Sequence, residues 1–245
     1  MFRVKLTVAY DGTNYCGWQV QNNGVSIQSV LQTAVEDLVG HKIMLTGASR
    51  TDSGVHALGQ VAVFDTDRDL EEWKWPLAIN QRLPKDLVVQ SAEVVDPQFH
   101  PRYANVRKTY EYRILNRAVQ LPNERLDSYF VPQKLDFDAM SSAAKLFVGE
   151  HDFHNFCSAK TKVKSTVRTI YEVELTKKQD MIYIRITGNG FLYNMVRIIA
   201  GALIKIGLHK KTAEDITEAL ESSERVVPGP TAPAHGLTLV CIEYL

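Results

Sequence analysis

The chain is 245 residues long, 45% hydrophobic and 23% charged; that is the balance of an ordinary folded protein and excludes a disordered or collagen-like chain. Its 28 Lys and Arg offset 28 Asp and Glu, so overall charge argues for no polyanionic partner. The three cysteines include no C-x-x-C pair, which excludes a disulfide framework and a cysteine-based zinc site and fits a reducing, cytoplasmic setting.

Phe2, Val4, Leu6, Val8 and Tyr10 alternate with more polar residues, the period of a half-buried strand and not of a signal peptide. Ser26 is placed to cap a helix whose apolar residues Ile27, Val30, Leu31, Ala34, Val35 and Leu38 lie on one face, with Gly40 as its stop. Strands are expected at Ile43 to Leu45 and Gln60 to Phe64, then a Trp-rich helix with Pro76 near its start, then a strand at Leu87 to Val94.

The second half repeats this order. A strand at Thr109 to Leu115 leads to a helix from Asp136 to Val148, stopped by Gly149. Strands at Val167 to Thr176 and Met181 to Thr187 form a hairpin, followed by a helix from about Phe191 to Ile206. This last stretch is interrupted by Arg197 and Lys205 and is too short to span a bilayer, so no membrane segment is expected. An extra helix capped by Thr212 precedes a final strand, Leu237 to Tyr244.

The fold class expected is therefore α+β: two pseudo-symmetric, ferredoxin-like or RRM-like β-α-β-β-α-β halves with antiparallel sheets around a central cleft. The halves divide as 1–104, carrying the loop described next, and 105–245, with Val95 to Lys108 as the crossover.

Three constellations carry chemistry. In Gly47-Ala-Ser-Arg50-Thr-Asp52-Ser-Gly54-Val-His56-Ala-Leu-Gly59-Gln60, three glycines bracket a short polar run, and an extended run points Arg50 and Asp52 the same way. An Asp beside an Arg is held ionised, available as nucleophile or base; an ordinary loop with a local ion pair is the competing reading. In Phe99-His-Pro-Arg102 through Lys108-Thr-Tyr110-Glu-Tyr112-Arg113, aromatics alternate with basic residues, as suits stacking on unpaired bases, although either tyrosine can equally face the core. In Gly188-Asn-Gly190-Phe-Leu-Tyr193-Asn194-Met-Val-Arg197, Tyr193 stands where a dinucleotide fingerprint needs glycine, which weakens that reading. On a wheel, Tyr193, Asn194, Arg197 and Gly201 line the face opposite the apolar one, and Arg197 suits a buried carboxylate. His151, His154 and Cys157 diverge on a helix and lack a fourth ligand, so no metal is expected.

Charge is also segregated. Phe99 to Arg117, Ser158 to Arg168 and Lys205 to Lys211 hold twelve Lys and Arg and one acid, Glu111. Converging, these windows make a nucleic-acid-binding stripe; apart, they are solvated faces.

The run Arg50-Thr-Asp52-Ser-Gly-Val-His-Ala resembles the signature loop of the tRNA pseudouridine synthase A family. The likeness extends through Phe99 to Tyr112, His151-Asp-Phe with Phe156-Cys157, Gly190 to Arg197, and Ala232-Pro-Ala-His-Gly-Leu. Ser49 and Ser53 depart from the pattern, where glycine and alanine are usual, and both are small. The resemblance implies isomerisation of uridine to pseudouridine at positions 38, 39 and 40 of the tRNA anticodon stem-loop. It assigns Asp52 as nucleophile or base at the ribose, with Tyr110, Arg197 and Arg50 as further catalytic residues. Tyr110, Arg50, His56, Arg102, Lys108, Lys160, Lys162 and Lys164 are then substrate-binding groups. It implies a homodimer and no cofactor, because the reaction is neither redox nor phosphoryl transfer. A non-catalytic module on paired RRM-like sheets is the alternative, but the RNP1 string of such modules is missing.

Overall fold

The computed structural model describes residues 1–22, 24–158 and 163–245. In chain order the elements are β1 (Phe2–Tyr10), α1 (Ile27–Val39), β2 (Thr46–Gly47), β3 (His56–Thr66), α2 (Lys74–Asn80), β4 (Leu87–Val95), β5 (Val106–Asn116) and β6 (Tyr129–Val131). They continue as α3 (Phe137–Ala144), β7 (Gly149–Asp152), β8 (Val167–Lys178), β9 (Met181–Gly188), α4 (Met195–Gly207), α5 (Ala213–Glu221) and β10 (Leu237–Tyr244). The class is mixed α+β. Among the described residues no helix is long and apolar enough to cross a membrane. Contacts divide the chain into two compact units, Met1–Asn105 with Thr238–Leu245, and Val106–Leu237.

In the first unit β1 buries Val4, Leu6, Val8 and Tyr10 and leaves the residues between them half-buried, as its period requires. It pairs antiparallel with β3 on one side and β4 on the other. The far edge of β3 is shared: β2 pairs antiparallel at Ala62 and Val63, and β10 pairs parallel at His56 and Ala57. This parallel pairing departs from the all-antiparallel expectation and draws the last strand, expected to close the second half, into the first unit. Helix α1 starts at Ser26, whose hydroxyl accepts from the Ser29 amide at 3.1 Å, and ends at Gly40 in the left-handed region. It buries Ile27, Leu31, Ala34, Val35 and Leu38; each larger side chain among these contributes about 1.5–3 kcal/mol on leaving water.

Two expectations shift here. Ile43 to Leu45 is not a strand, because the Leu45 carbonyl accepts from the Gln28 side chain at 2.8 Å and the ladder is made by Thr46 and Gly47 instead. Strand β3 begins at His56, four residues before the expected Gln60. It is buried along most of its length, so no alternation marks its start.

In the second unit the ladder runs β5-β9-β8-β7, antiparallel throughout, with short β6 parallel to β5. Strands β6 and β7, three and four residues long, carry too little alternation to read from sequence. The expected helix to Val148 stops at Ala144 and passes through a 3-10 turn, Lys145–Phe147. Helix α4 starts at Met195, because Asn194 takes φ 64°. Phe147, Phe153 and Phe156 form a fully buried edge-to-face cluster. The Asn155 amide between them donates to the carbonyls of Ala219 and Glu224 and accepts from the Val226 amide. The His-Asp-Phe-His-Asn-Phe-Cys run is thus structural: its rings fill the core and its Asn ties down the chain after α5.

Candidate active site

The polar run between β2 and β3 leaves the ladder after Ala48, whose amide still donates to the Val61 carbonyl at 2.8 Å. From there the chain finds its partners in side chains and in the segment after β1. The Gln60 side chain accepts from the Ser49 amide at 3.2 Å and donates to the Ser49 carbonyl at 2.8 Å. The hydroxyls of Tyr10 and Thr51 are hydrogen-bonded at 2.8 Å, and the Trp18 amide donates to the Thr51 carbonyl at 3.1 Å. Ser53 Oγ donates to the Tyr15 carbonyl at 3.1 Å, and the Val55 amide closes a turn on the Asp52 carbonyl. Ser49 and Thr51 are buried, Arg50 is exposed and Asp52 half-buried. This is the alternation an extended run produces.

Around this loop, Gly12 N–H donates to His56 Nδ1 at 3.1 Å, and Asp11 lies 3.2 Å from the same nitrogen. Burial pushes the Asp11 carboxyl up, but hydrogen bonds from the Thr13 hydroxyl and amide, with the nearby imidazole, carry it below the usual carboxylate range. His56 is itself buried, so its ring anchors the end of the loop within the protein. Arg50 Nε donates to Gln19 Oε1 at 3.1 Å. Arg102 Nη2 donates to the Gly47 carbonyl at 3.1 Å, and burial, then the charge of Arg50, pull its guanidinium below the ordinary arginine range. Beside it Tyr103 is 80% exposed and stacks on His100 at 4.4 Å. The turn that carries them is moored where Tyr244 donates to the Pro101 carbonyl and Arg3 to the Phe99 carbonyl.

The second unit holds the other candidates. Tyr110 is buried on β5, opposite Ile186 and edge-on to Phe191 at 5.1 Å. Lys108 is half-buried opposite Gly188 at the start of the same strand. Tyr112 is wholly buried, its hydroxyl donating to the Pro233 carbonyl at 2.8 Å, so both tyrosines are buried and Tyr112 is the deeper of the two. Arg197 Nε donates to the Ala232 carbonyl at 2.7 Å and Nη1 to Asn194 Oδ1 at 2.8 Å. The polar stripe expected on α4 is not an open face: a Cβ on Gly201 would lie 1.8 Å from the Pro230 carbonyl oxygen, so the chain from Gly229 to Pro233 packs along it. Lys164 is exposed; Lys160 and Lys162 lie outside the described residues. Among the described residues no three His, Cys, Asp or Glu side chains cluster closely enough to hold a metal ion.

A family model described as tRNA pseudouridine synthase matches residues 6–104 and 143–245. The chain belongs to this family. Its relatives include tRNA pseudouridine synthase A of Thermoanaerobacter sp. (strain X514), 46% identical over 244 residues, covering 100% of each chain. The protein of the same name from Acetivibrio thermocellus is 45% identical, with 100% of each chain covered. tRNA pseudouridine synthase A 1 of Bacillus cereus is 44% identical over 245 residues, covering 100% of this chain and 99% of that one. The protein is accordingly an isomerase, a tRNA pseudouridine synthase. Of the residues that hold the polar loop, sequence reasoning passed over Tyr15, Gly17 and Trp18, and it gave Tyr10 and Gln60 no role in holding it. One signal was available: two glycines and two aromatics in Gly12-Thr-Asn-Tyr15-Cys-Gly17-Trp18, dense for a segment joining a strand to a helix.

Proposed function

We propose that the enzyme isomerises uridine at positions 38, 39 and 40 of the tRNA anticodon stem-loop, with Asp52 acting at the ribose. The observation that carries this reading is the held loop: Ser49 and Thr51 are tied into the protein while Asp52 stays half-buried and Arg50 exposed. A carboxylate on such a loop either attacks C1′ or removes the C2′ proton. The C1′–N1 bond breaks, the uracil turns, C5 bonds to C1′, and the C5 proton leaves as N1 gains one. One carboxylate suffices because the leaving base is also the returning nucleophile, whereas a glycosidase needs a second group to manage water.

In this reading Arg197 and Tyr110 are further catalytic residues, Tyr110 packing on the target uracil. A base in a stacked arm must be extruded, and the exposed Arg50 fills the space it leaves. Arg102, Lys108, Lys160, Lys162 and Lys164 neutralise phosphates, with exposed Tyr103 beside Arg102 as an additional stacking surface. His56 serves by anchoring the loop. The enzyme works in the cytoplasm as a homodimer, one tRNA touching both subunits; a fully active monomer in light scattering at working concentration would remove the dimer.

The deciding experiment is release of tritium from C5 of uridine-labelled tRNA. Asp52→Asn keeps the shape of the side chain but can act as neither nucleophile nor base, so it should release no label while retaining much of the tRNA affinity. Near wild-type turnover in that variant would end the assignment.

A further inference from the structure

Gln60 is fully buried in β3, next to the apolar run Val61 to Phe64. A carboxamide there costs desolvation that a leucine would not, unless every polar atom finds a partner. Its partners lie mainly in the loop. Oε1 accepts from the Ser49 amide at 3.2 Å and from the Val61 amide at 3.1 Å. Nε2 donates to the Ser49 carbonyl at 2.8 Å and lies 3.5 Å from the Tyr10 hydroxyl, which is bonded to Thr51 Oγ1. One side chain therefore takes both peptide groups of Ser49, which a strand neighbour would otherwise satisfy, and approaches the group that holds Thr51.

Residues two apart in an extended run share a face. Holding residues 49 and 51 inward leaves 50 and 52 on the opposite side, and a slip of one residue would reverse them. We propose that Gln60, seconded by Tyr10, is a positioning residue for the isomerisation: it sets the register of the loop and thereby the place of the Asp52 carboxylate. The proposal rests on the reading of Asp52 as the acting carboxylate. Gln60 touches no substrate; it acts through Ser49.

Two variants test it in the tritium-release assay, with rates expressed per folded molecule. Gln60→Leu keeps the volume and removes the bonds. It should lower kcat by about 10- to 100-fold, the scale of an ångström of misplacement, and leave KM for tRNA within about threefold of wild type, since of the proposed binding groups only Arg50 rides on the loop and the phosphate contacts of Arg102 and the lysines stay in place. Gln60→Glu supplies a rescue. Burial raises the pKa of its carboxyl; when protonated, its O–H donates to the Ser49 carbonyl and its other oxygen accepts from the Ser49 amide, as the carboxamide does. When ionised it has no donor and repels that carbonyl. Its kcat relative to wild type should therefore rise as pH falls from about 8 to about 6, through the raised pKa.

A Gln60→Leu kcat within about twofold of wild type, a loss confined to KM, or a flat Gln60→Glu ratio across that pH range would overturn the proposal. Asp52→Asn runs alongside. If it is inactive while Gln60→Leu is fully active, only the positioning role falls; if it is active, the reading beneath the proposal falls with it.

Discussion

Gly17 meets Thr51 backbone to backbone. A Cβ built on Gly17 would lie 2.6 Å from the Thr51 carbonyl oxygen and 3.0 Å from the carbonyl carbon of Asp52, and Gly17 itself sits at φ +102°. The segment after β1 thus lies directly against the loop carrying Arg50 and Asp52, and the adjacent Trp18 amide donates to the same Thr51 oxygen.

Gly17→Ala imposes both a strained φ and a contact that only backbone movement relieves. The expected cost is about 1–3 kcal/mol of stability, with kcat falling further than the folded fraction because the displaced atoms belong to Thr51 and Asp52. Urea unfolding beside steady-state kinetics measures both. An alanine variant equal to wild type in each would show that the two backbones separate freely.

Tyr110→Phe keeps the ring against Phe191 and removes only the hydroxyl. In the proposed reaction the C5 proton has to be taken up after C5 bonds to C1′. If that hydroxyl takes part, turnover falls by about 100-fold or more with the fold intact, which is the expected outcome. Retained activity would limit Tyr110 to packing on the uracil.

Arg50→Ala distinguishes filling a vacated stack from serving the charge of Asp52. The Arg50 side chain is exposed and bonded to Gln19, which suits the first role. Turnover should drop more on a stacked or paired uridine than on an unstructured oligonucleotide, because only the former requires extrusion. Equal losses on both substrates would assign Arg50 to the carboxylate.

Arg3 and Asp65 stand opposite each other on β1 and β3, with two guanidinium nitrogens each 2.7 Å from a carboxylate oxygen. The hydrogen bonds from Arg3 hold the Asp65 carboxyl below its usual range. A carboxyl depressed in the folded state stabilises above its unfolded pKa of about 3.9, and that contribution is lost as pH falls through the folded value. Because the Asp65 side chain is 38% exposed, solvent limits the effect. Asp65→Asn should cost about 0.5–1 kcal/mol near neutral pH, and the gap to wild type should shrink below about pH 4. Chemical denaturation across that range measures it, and a gap independent of pH would assign the loss to packing.

Spacing alone determined whatever is decided by neighbours along the chain. The alternation from Phe2 to Tyr10, the Ser26 and Gly40 ends of α1, the Thr212 start of α5 and the polar run around Arg50 and Asp52 are local, because a strand's sidedness and a helix's caps depend on residues within a turn or two. Tertiary structure decided which distant group satisfies each remaining backbone atom. Leu45 gives its carbonyl to Gln28 and so lies outside the ladder; β10 joins β3 in parallel at His56 and Ala57; Arg197 is engaged by Ala232 and Asn194; and Ser49 is held by Gln60. Each of these outcomes turns on a polar group leaving water and needing a partner. Residue periodicity says which way a side chain faces, but the partner is supplied by whatever the rest of the fold brings opposite it.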